Sequence, residues 1–153
     1  MYITTSRKPS DATRKLARLL STFLGIYENR GKKSIADVVT RADELGHSRA
    51  IILSERRGNP DSLSFIKVAE EWSWMDPEVV VSVKQPLPDI GRIKKQAKYT
   101  GDKKYSDIFD LQEPDTDDIA EVSMDDKKIS FSYGKFSMVL DIKGLRRLKV
   151  PEE

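Results

Sequence analysis

The sequence predicts an α/β protein, a layered mixed sheet with flanking helices that closes on an antiparallel meander. Three patterns carry this expectation. Two amphipathic stretches with capping residues separate short runs of β-formers within the first 60 residues. Ala50-Ile51-Ile52-Leu53 is a continuous apolar run, as in a central strand covered on both faces. Near the C-terminus, apolar and polar residues alternate with a period of two, as half-buried strands require.

Tyr2 to Thr5 are β-formers, Pro9 stops the strand, and Ser10 can cap a helix beginning at Asp11 and ending at Gly25. At about 100° per residue, Ala12, Leu16, Leu19, Leu20 and Phe23 share one face, while Arg14, Lys15 and Arg18 fall opposite. With Arg7 and Lys8 they form an exposed cationic ridge suited to a polyanion. Ile26 to Asn29 reads as a second short strand and Arg30-Gly31-Lys32-Lys33 as a basic turn. Ser34 then caps a second helix, with Asp37 in capping-box position, Gly46 as the stop, and Ile35, Val38, Val39, Ala42 and Leu45 inward. Arg49 to Glu55 is the central strand, Arg56 to Asp61 a turn cluster and Leu63 to Ala69 the next strand. Strands separated by helices of this length indicate a layered sheet.

Trp72 to Asp76 is expected to bridge into a second half, so that one domain of 153 residues divides into halves of about 1–75 and 76–153. Glu78 to Lys84 reads as a strand stopped by Gln85-Pro86-Leu87-Pro88, and Asp89 to Tyr99 as a short helix with Ile90, Ile93 and Ala97 inward. Gly101 to Lys104 reads as a polar loop, Ser106 to Leu111 as a brief strand or turn, and Glu113 to Asp118 as an exposed acidic loop. Ile119–Met124, Lys128–Tyr133 and Phe136–Ile142 form the meander, with Gly134-Lys135 as a two-residue hairpin turn and Leu145 to Val150 as a tail. Strand, basic residue, proline and helix recur at Ile3 to Leu20 and Val80 to Ala97, a faint echo that suggests two related halves sharing one sheet.

Composition narrows the function. Hydrophobic content of 38% and charged content of 34% describe a soluble globular protein with an ionic surface. No apolar run approaches the roughly 20 residues of a membrane span, no signal-peptide core follows Met1, and cysteine is absent, which fits a cytoplasmic protein. The net charge of +2 is unevenly spread: residues 1–60 carry 12 Lys+Arg against 6 Asp+Glu, whereas residues 111–153 carry 7 against 10. The positive field belongs to the first part of the chain, and nucleic acid is the leading partner class.

Catalytic signatures are missing. Gly31-Lys32-Lys33-Ser34 resembles the end of a nucleotide phosphate loop, but Gly25 lies one residue too far upstream and Lys33 separates Lys32 from Ser34. His47 follows the Gly46 helix stop and reads as a capping or surface residue. Asp115, Asp117 and Asp118 lack the glycine and terminal glutamate of a calcium loop. No enzyme, cofactor or metal site is expected. What remains is basic: Arg7, Lys8, Arg14, Lys15 and Arg18; Arg30, Lys32 and Lys33 at a helix start, where a phosphate could meet the opening N–H groups; and Arg56 with Arg57. Each of these residues alone reads as solvated surface; together they favour nucleic acid. Tyr99 and Tyr105, among Lys98, Lys103 and Lys104, suit either base stacking or core packing, and Trp72 and Trp74 suit core packing.

The order Thr4-Thr5-Ser6-Arg7-Lys8-Pro9-Ser10, Thr13-Arg14, Asn29-Arg30-Gly31-Lys32 and Glu55-Arg56-Arg57-Gly58-Asn59-Pro60-Asp61-Ser62-Leu63 resembles the successive signatures of the Brix domain family, in a compact archaeal form. The match covers roughly the first 65 residues; the apolar, glycine-containing segment usual after Leu63 is not evident. The resemblance implies two halves, each similar to the anticodon-binding domain of class IIa aminoacyl-tRNA synthetases. It also implies a non-enzymatic factor that binds ribosomal RNA, or the guide RNA that pairs with it, during ribosome assembly. Carried over, the RNA-facing candidates are Arg7, Lys8, Arg14, Arg30, Lys32, Arg56 and Arg57. Ribosomal or other assembly proteins are further expected partners. The alternatives are a scaffold whose acidic half docks a basic ribosomal protein, and a tRNA-binding module.

Overall fold

The structure, a computed structural model, describes residues 1–84, 87–88 and 96–147. In chain order the elements are β1 (Tyr2–Thr5), α1 (Asp11–Leu24), β2 (Ile26–Tyr27), α2 (Ile35–Glu44), β3 (Arg49–Arg56), β4 (Asn59–Lys67) and β5 (Ser73–Ser82). They continue with β6 (Gln96–Tyr99), α3 (Ser106–Phe109), β7 (Ile119–Met124), β8 (Lys128–Tyr133) and β9 (Phe136–Arg146). These strands form one nine-stranded sheet ordered β2-β1-β3-β4-β5-β9-β8-β7-β6.

The order is palindromic in its pairing. β1 runs parallel to β3, which is antiparallel to β4, which is antiparallel to β5. From the other edge, β6 runs parallel to β7, and β8 and β9 follow antiparallel. An antiparallel β5–β9 seam joins the two series. This topology sets β1 against β6, whereas the residue echo sets Ile3 to Leu20 beside Val80 to Ala97, part of which lies outside the described residues.

Both predicted caps form. Ser10 accepts from Thr13 N, and Ser34 and Asp37 exchange side-chain and backbone bonds in a capping box. The apolar stripe of α1 packs Leu16, Leu20 and Phe23 on a core that runs from Ile3, Leu53 and Phe65 to Val122, Phe131 and Leu140. On the opposite face, Val38, Val39 and Ala42 of α2 cover Tyr2, Ala50, Ile52 and Ile66. β3 therefore sends Ile51 and Leu53 to one layer and Ala50 and Ile52 to the other, as its unbroken apolar run required. Gly25 ends α1 at φ 154°, where an added Cβ would lie 2.1 Å from the Met1 carbonyl oxygen, so only glycine fits.

The structure corrects several boundaries. The Arg56–Asp61 turn cluster shrinks to Arg57-Gly58, both left-handed, and β4 already starts at Asn59. Pro60 is accepted because it sits at a bulge. Trp72–Asp76 is no bridge: Trp74 pairs with Ile66 and Met75 with Phe65, which makes this segment the start of β5. The register shift in that ladder falls opposite Pro77, which has no N–H to donate. Ser106–Leu111 holds a helical turn, α3, closed by Asp110 in the left-handed region at φ 43°.

The expected helix over Asp89–Tyr99 does not reach its end, because Gln96–Tyr99 is a parallel strand with Ala97 buried beside Ala120. Residues 89–95, the Gln85-Pro86 stop and the tail beyond residue 147 lie outside the described residues. The meander forms as predicted, with Tyr133 paired to Phe136 across Gly134-Lys135 and β9 extended to Arg146. Arg49 ties β3 to α3: its buried guanidinium donates to Asp107 O at 2.8 Å and Asp107 Oδ1 at 2.9 Å.

Candidate nucleic-acid interface

Because β1, β2 and β3 are parallel, their carboxyl ends share one end of the sheet. The chain leaves β1 into α1 on one face and leaves β2 into α2 on the other, so the two crossovers part between β1 and β3. Open α/β sheets take their ligands in such a crevice, outside the carboxyl ends of the strands. Here it is bordered by the Ser6–Ser10 loop, the Arg30 turn before α2 and the β3–β4 hairpin tip. Those segments and the outer face of α1 carry all ten cations singled out in the sequence.

Glu55 holds two of these segments together. Its Oε2 accepts from Ser10 N at 2.9 Å and from Thr13 Oγ1 at 2.6 Å. Ser10 Oγ donates to Gly58 O at 2.7 Å, and Ser6 N to Leu53 O at 2.8 Å. The Thr13 hydroxyl, then the Ser10 N–H, hold the Glu55 carboxyl below its ordinary pKa, so it is ionised and occupies the N-terminus of α1. The opening of α2 is occupied too: Asp37 Oδ2 accepts from Ser34 N at 3.0 Å. A phosphate at the N–H groups that open α2, expected from the sequence, therefore meets a carboxylate instead. With both helix openings occupied, the ridge presents its side chains alone.

Arg7, Lys8, Lys15, Lys32, Arg56 and Arg57 are exposed and pair with no carboxylate among the described residues. Lys8 and Arg57 both stand in the left-handed region, at φ 54° and 52°, a conformation that non-glycine residues adopt at a cost and that clusters at binding sites. Arg18 is exposed with its guanidinium 5.6 Å from the Tyr27 ring centre. Arg14 bonds Asp11 at 2.5 Å, but Asp11 is 97% exposed, so solvent screens the pair and the guanidinium stays available. Lys33 donates to Asn29 O at 3.0 Å.

Arg30 corrects the expectation. It is only 8% exposed, and its guanidinium donates to Lys33 O at 2.7 Å and Thr5 O at 3.0 Å. Burial, with the nearby Arg7 charge adding to it, pushes its pKa down. Arg30 is a brace between β1 and the turn before α2. Arg30→Met is expected to lower stability by about 2 kcal/mol, since two carbonyls lose a charged donor, as measured by urea unfolding. Arg57→Met is expected to leave stability within about 0.5 kcal/mol of wild type.

Beside this end, Glu28 accepts from Arg41 Nε and Nη2, both at 2.9 Å, and from Tyr2 OH at 2.9 Å. Arg41 chiefly, with Tyr2 adding, lowers its pKa to about 2. Because the folded value lies below the unfolded one, the stabilisation is whole above pH about 4.5 and is lost as pH falls toward about 2. Glu28→Gln is expected to flatten that acid limb and to lower the neutral-pH Tm by roughly 3 °C, read from melts across pH.

The tyrosines are core residues. Tyr99 stacks on Phe109 at 5.5 Å and donates to Asp102 O, while burial pushes its hydroxyl up to about 12. Tyr105 is buried and donates to Asp126. Trp72 packs against the α2 core, but its edge-on neighbour Trp74 is 38% exposed, short of the full packing expected. His47 N caps α2 through Ala42 O at 2.9 Å, and its ring tilts on Tyr2. Among the described residues, no His, Cys, Asp or Glu group is placed to hold a metal, and no helix is long and apolar enough to cross a membrane. The Glu55 clamp joins residues more than 40 positions apart, so no local pattern marks it beyond its place before Arg56-Arg57.

No protein-family model matches the chain. Over 78 residues it is 37% identical to a probable Brix domain-containing ribosomal biogenesis protein of Thermococcus kodakarensis, covering 49% of this chain and 38% of that protein. Proteins of the same description from Methanothermobacter thermautotrophicus and Archaeoglobus fulgidus are 43% and 40% identical over 67 and 93 residues. Those matches span 41% and 52% of the relatives' lengths. A probable ribosomal biogenesis protein from Aeropyrum pernix K1 superposes over 99% of this chain and 98% of its own, with a TM-score of 0.70 at 21% identity. Mil, an archaeal Imp4-like protein, superposes over 95% of this chain and 99% of its own, with a TM-score of 0.65 at 24% identity. At these identities the structures show the fold. By sequence over as much as 60% of its length, and by fold over nearly all of it, the chain is similar to archaeal Brix domain and Imp4-like ribosome biogenesis proteins.

Proposed function

We propose that the chain is a non-enzymatic RNA-binding assembly factor in ribosome biogenesis, acting in the cytoplasm on ribosomal RNA, or on its guide RNA, during folding or processing. One observation carries the reading: exposed cations from separate stretches of sequence, most of them without a carboxylate partner among the described residues, meet at the carboxyl end of the parallel strands. Arg7, Lys8, Arg14, Lys15, Arg18, Lys32, Lys33, Arg56 and Arg57 hold phosphates and set register, while any sequence preference comes from unpaired bases. The palindromic sheet supports two related halves, about 1–75 and 76–153, each similar to a class IIa anticodon-binding domain. The relatives' description as ribosomal biogenesis proteins supports a role in ribosome assembly. Crosslinking in archaeal cells followed by RNA sequencing tests this, with ribosomal RNA precursors expected to dominate the bound pool. Enrichment of tRNA instead would make the chain a tRNA-binding module. Partner capture that survives nuclease treatment, without RNA crosslinks, would make it a protein scaffold.

A further inference from the structure

We propose that a cleft between the β3–β4 hairpin and the β5–β9 seam binds one unpaired nucleotide, its phosphate on Arg56, Arg57 and Lys143 and an amino-bearing base against Asp61. The inference rests on the RNA-binding reading and extends it to the second half of the chain. The cleft encloses about 410 Å³ and is bordered by Arg56, Arg57, Asn59, Asp61 and Lys143. Its apolar floor is the buried Pro60 and Val81 with the half-buried Val83 beside them.

Two bulges build it. Ser54 pairs with Ser62 and Glu55 with Pro60, so Asp61 is the extra residue in β4. Val80 pairs with Gly144 and Val81 with Ile142, so Lys143 is the extra residue in β9. A bulge removes one residue from the ladder and re-aims its side chain, and such features gather beside binding sites. Here two separate bulges deliver opposite charges to one cleft, and neither side chain makes an ion pair or hydrogen bond among the described residues.

Three cations suit a phosphodiester, but phosphate alone gives no use for the carboxylate. Asp61 is an acceptor only, so it matches an exocyclic amino group such as cytosine N4 and gains less from uracil, which has none. A base against the half-buried Val83, with its backbone on the cations, places both charges in use. One RNA strand then crosses from the hairpin of the first half to the last strand of the second.

The test is fluorescence anisotropy of the whole chain with labelled 12-residue oligo(C) and oligo(U), alongside Lys143→Glu and Asp61→Asn, each checked for an unchanged melt. Wild type is expected to prefer oligo(C) by roughly five-fold. Lys143→Glu is expected to weaken both alike and to reduce the log–log salt slope by about 0.7, the contribution of one phosphate on a single strand. Asp61→Asn is expected to erase the preference. Wild-type binding by Lys143→Glu, where Arg57→Glu weakens it, overturns the cleft but leaves the RNA-binding reading standing. An unchanged preference in Asp61→Asn overturns the role of the carboxylate. If wild type binds neither oligonucleotide, both readings fail.

Discussion

Replacing Lys8, Arg56 and Arg57 together by glutamate is expected to weaken RNA binding by roughly 100-fold, at about 1 kcal/mol per lost charged contact, while leaving the fold intact. All three side chains are exposed, and among the described residues the change removes no ion pair or side-chain hydrogen bond. Two of the three occupy left-handed backbone at the tips of the loops that Glu55 clamps together. Mobility shifts on a single-stranded ribosomal fragment, paired with thermal melts, separate the two effects. Unchanged binding would move the interface away from this end of the sheet. A collapsed melt would make these side chains structural, as Arg30 is.

The largest expected stability effect lies in the core. Phe23 on α1 meets Phe131 of β8 at 5.3 Å between ring centres and Phe136 of β9 at 5.7 Å. It is the point at which the first helix grips the C-terminal meander. Phe23→Ala is expected to cost about 3–5 kcal/mol, the range for a buried phenylalanine, and to lower Tm by roughly 10 °C in a domain of this size. A single transition in both wild type and variant is expected, because one apolar cluster runs from Ile3 to Leu140. A variant that melts in two steps, with the meander unchanged, would show that the halves are stabilised separately.

What the sequence revealed was local. The caps of α1 and α2, the two-sided burial of β3 and the meander depend on side chains within a few residues of one another, and each formed as its pattern required. What it concealed was pairing. Ser73-Trp74-Met75 has no clear period of its own and becomes a strand because β4 supplies an edge. Gln96–Tyr99 follows a helical pattern, yet its parallel pairing with β7 wins.

The site divides the same way. The basic residues were visible in the sequence, and so was their spacing, but not which of them is buried. Arg30 turns inward because β1 and the turn before α2 leave carbonyls that need a donor, a demand visible only in three dimensions. Lys143 lies over 80 residues from Arg57 in the chain and reaches the cleft through a bulge that no local pattern marks.

Whether the cationic end of the sheet holds ribose-phosphate is read from the salt dependence of binding to an unstructured ribosomal RNA fragment, by filter-binding titration. Six phosphate contacts predict a slope of log K against log salt of about −4, falling toward −2 when Lys8, Arg56 and Arg57 carry glutamate. A slope near zero in wild type, or one that the triple substitution leaves unchanged, would contradict binding there.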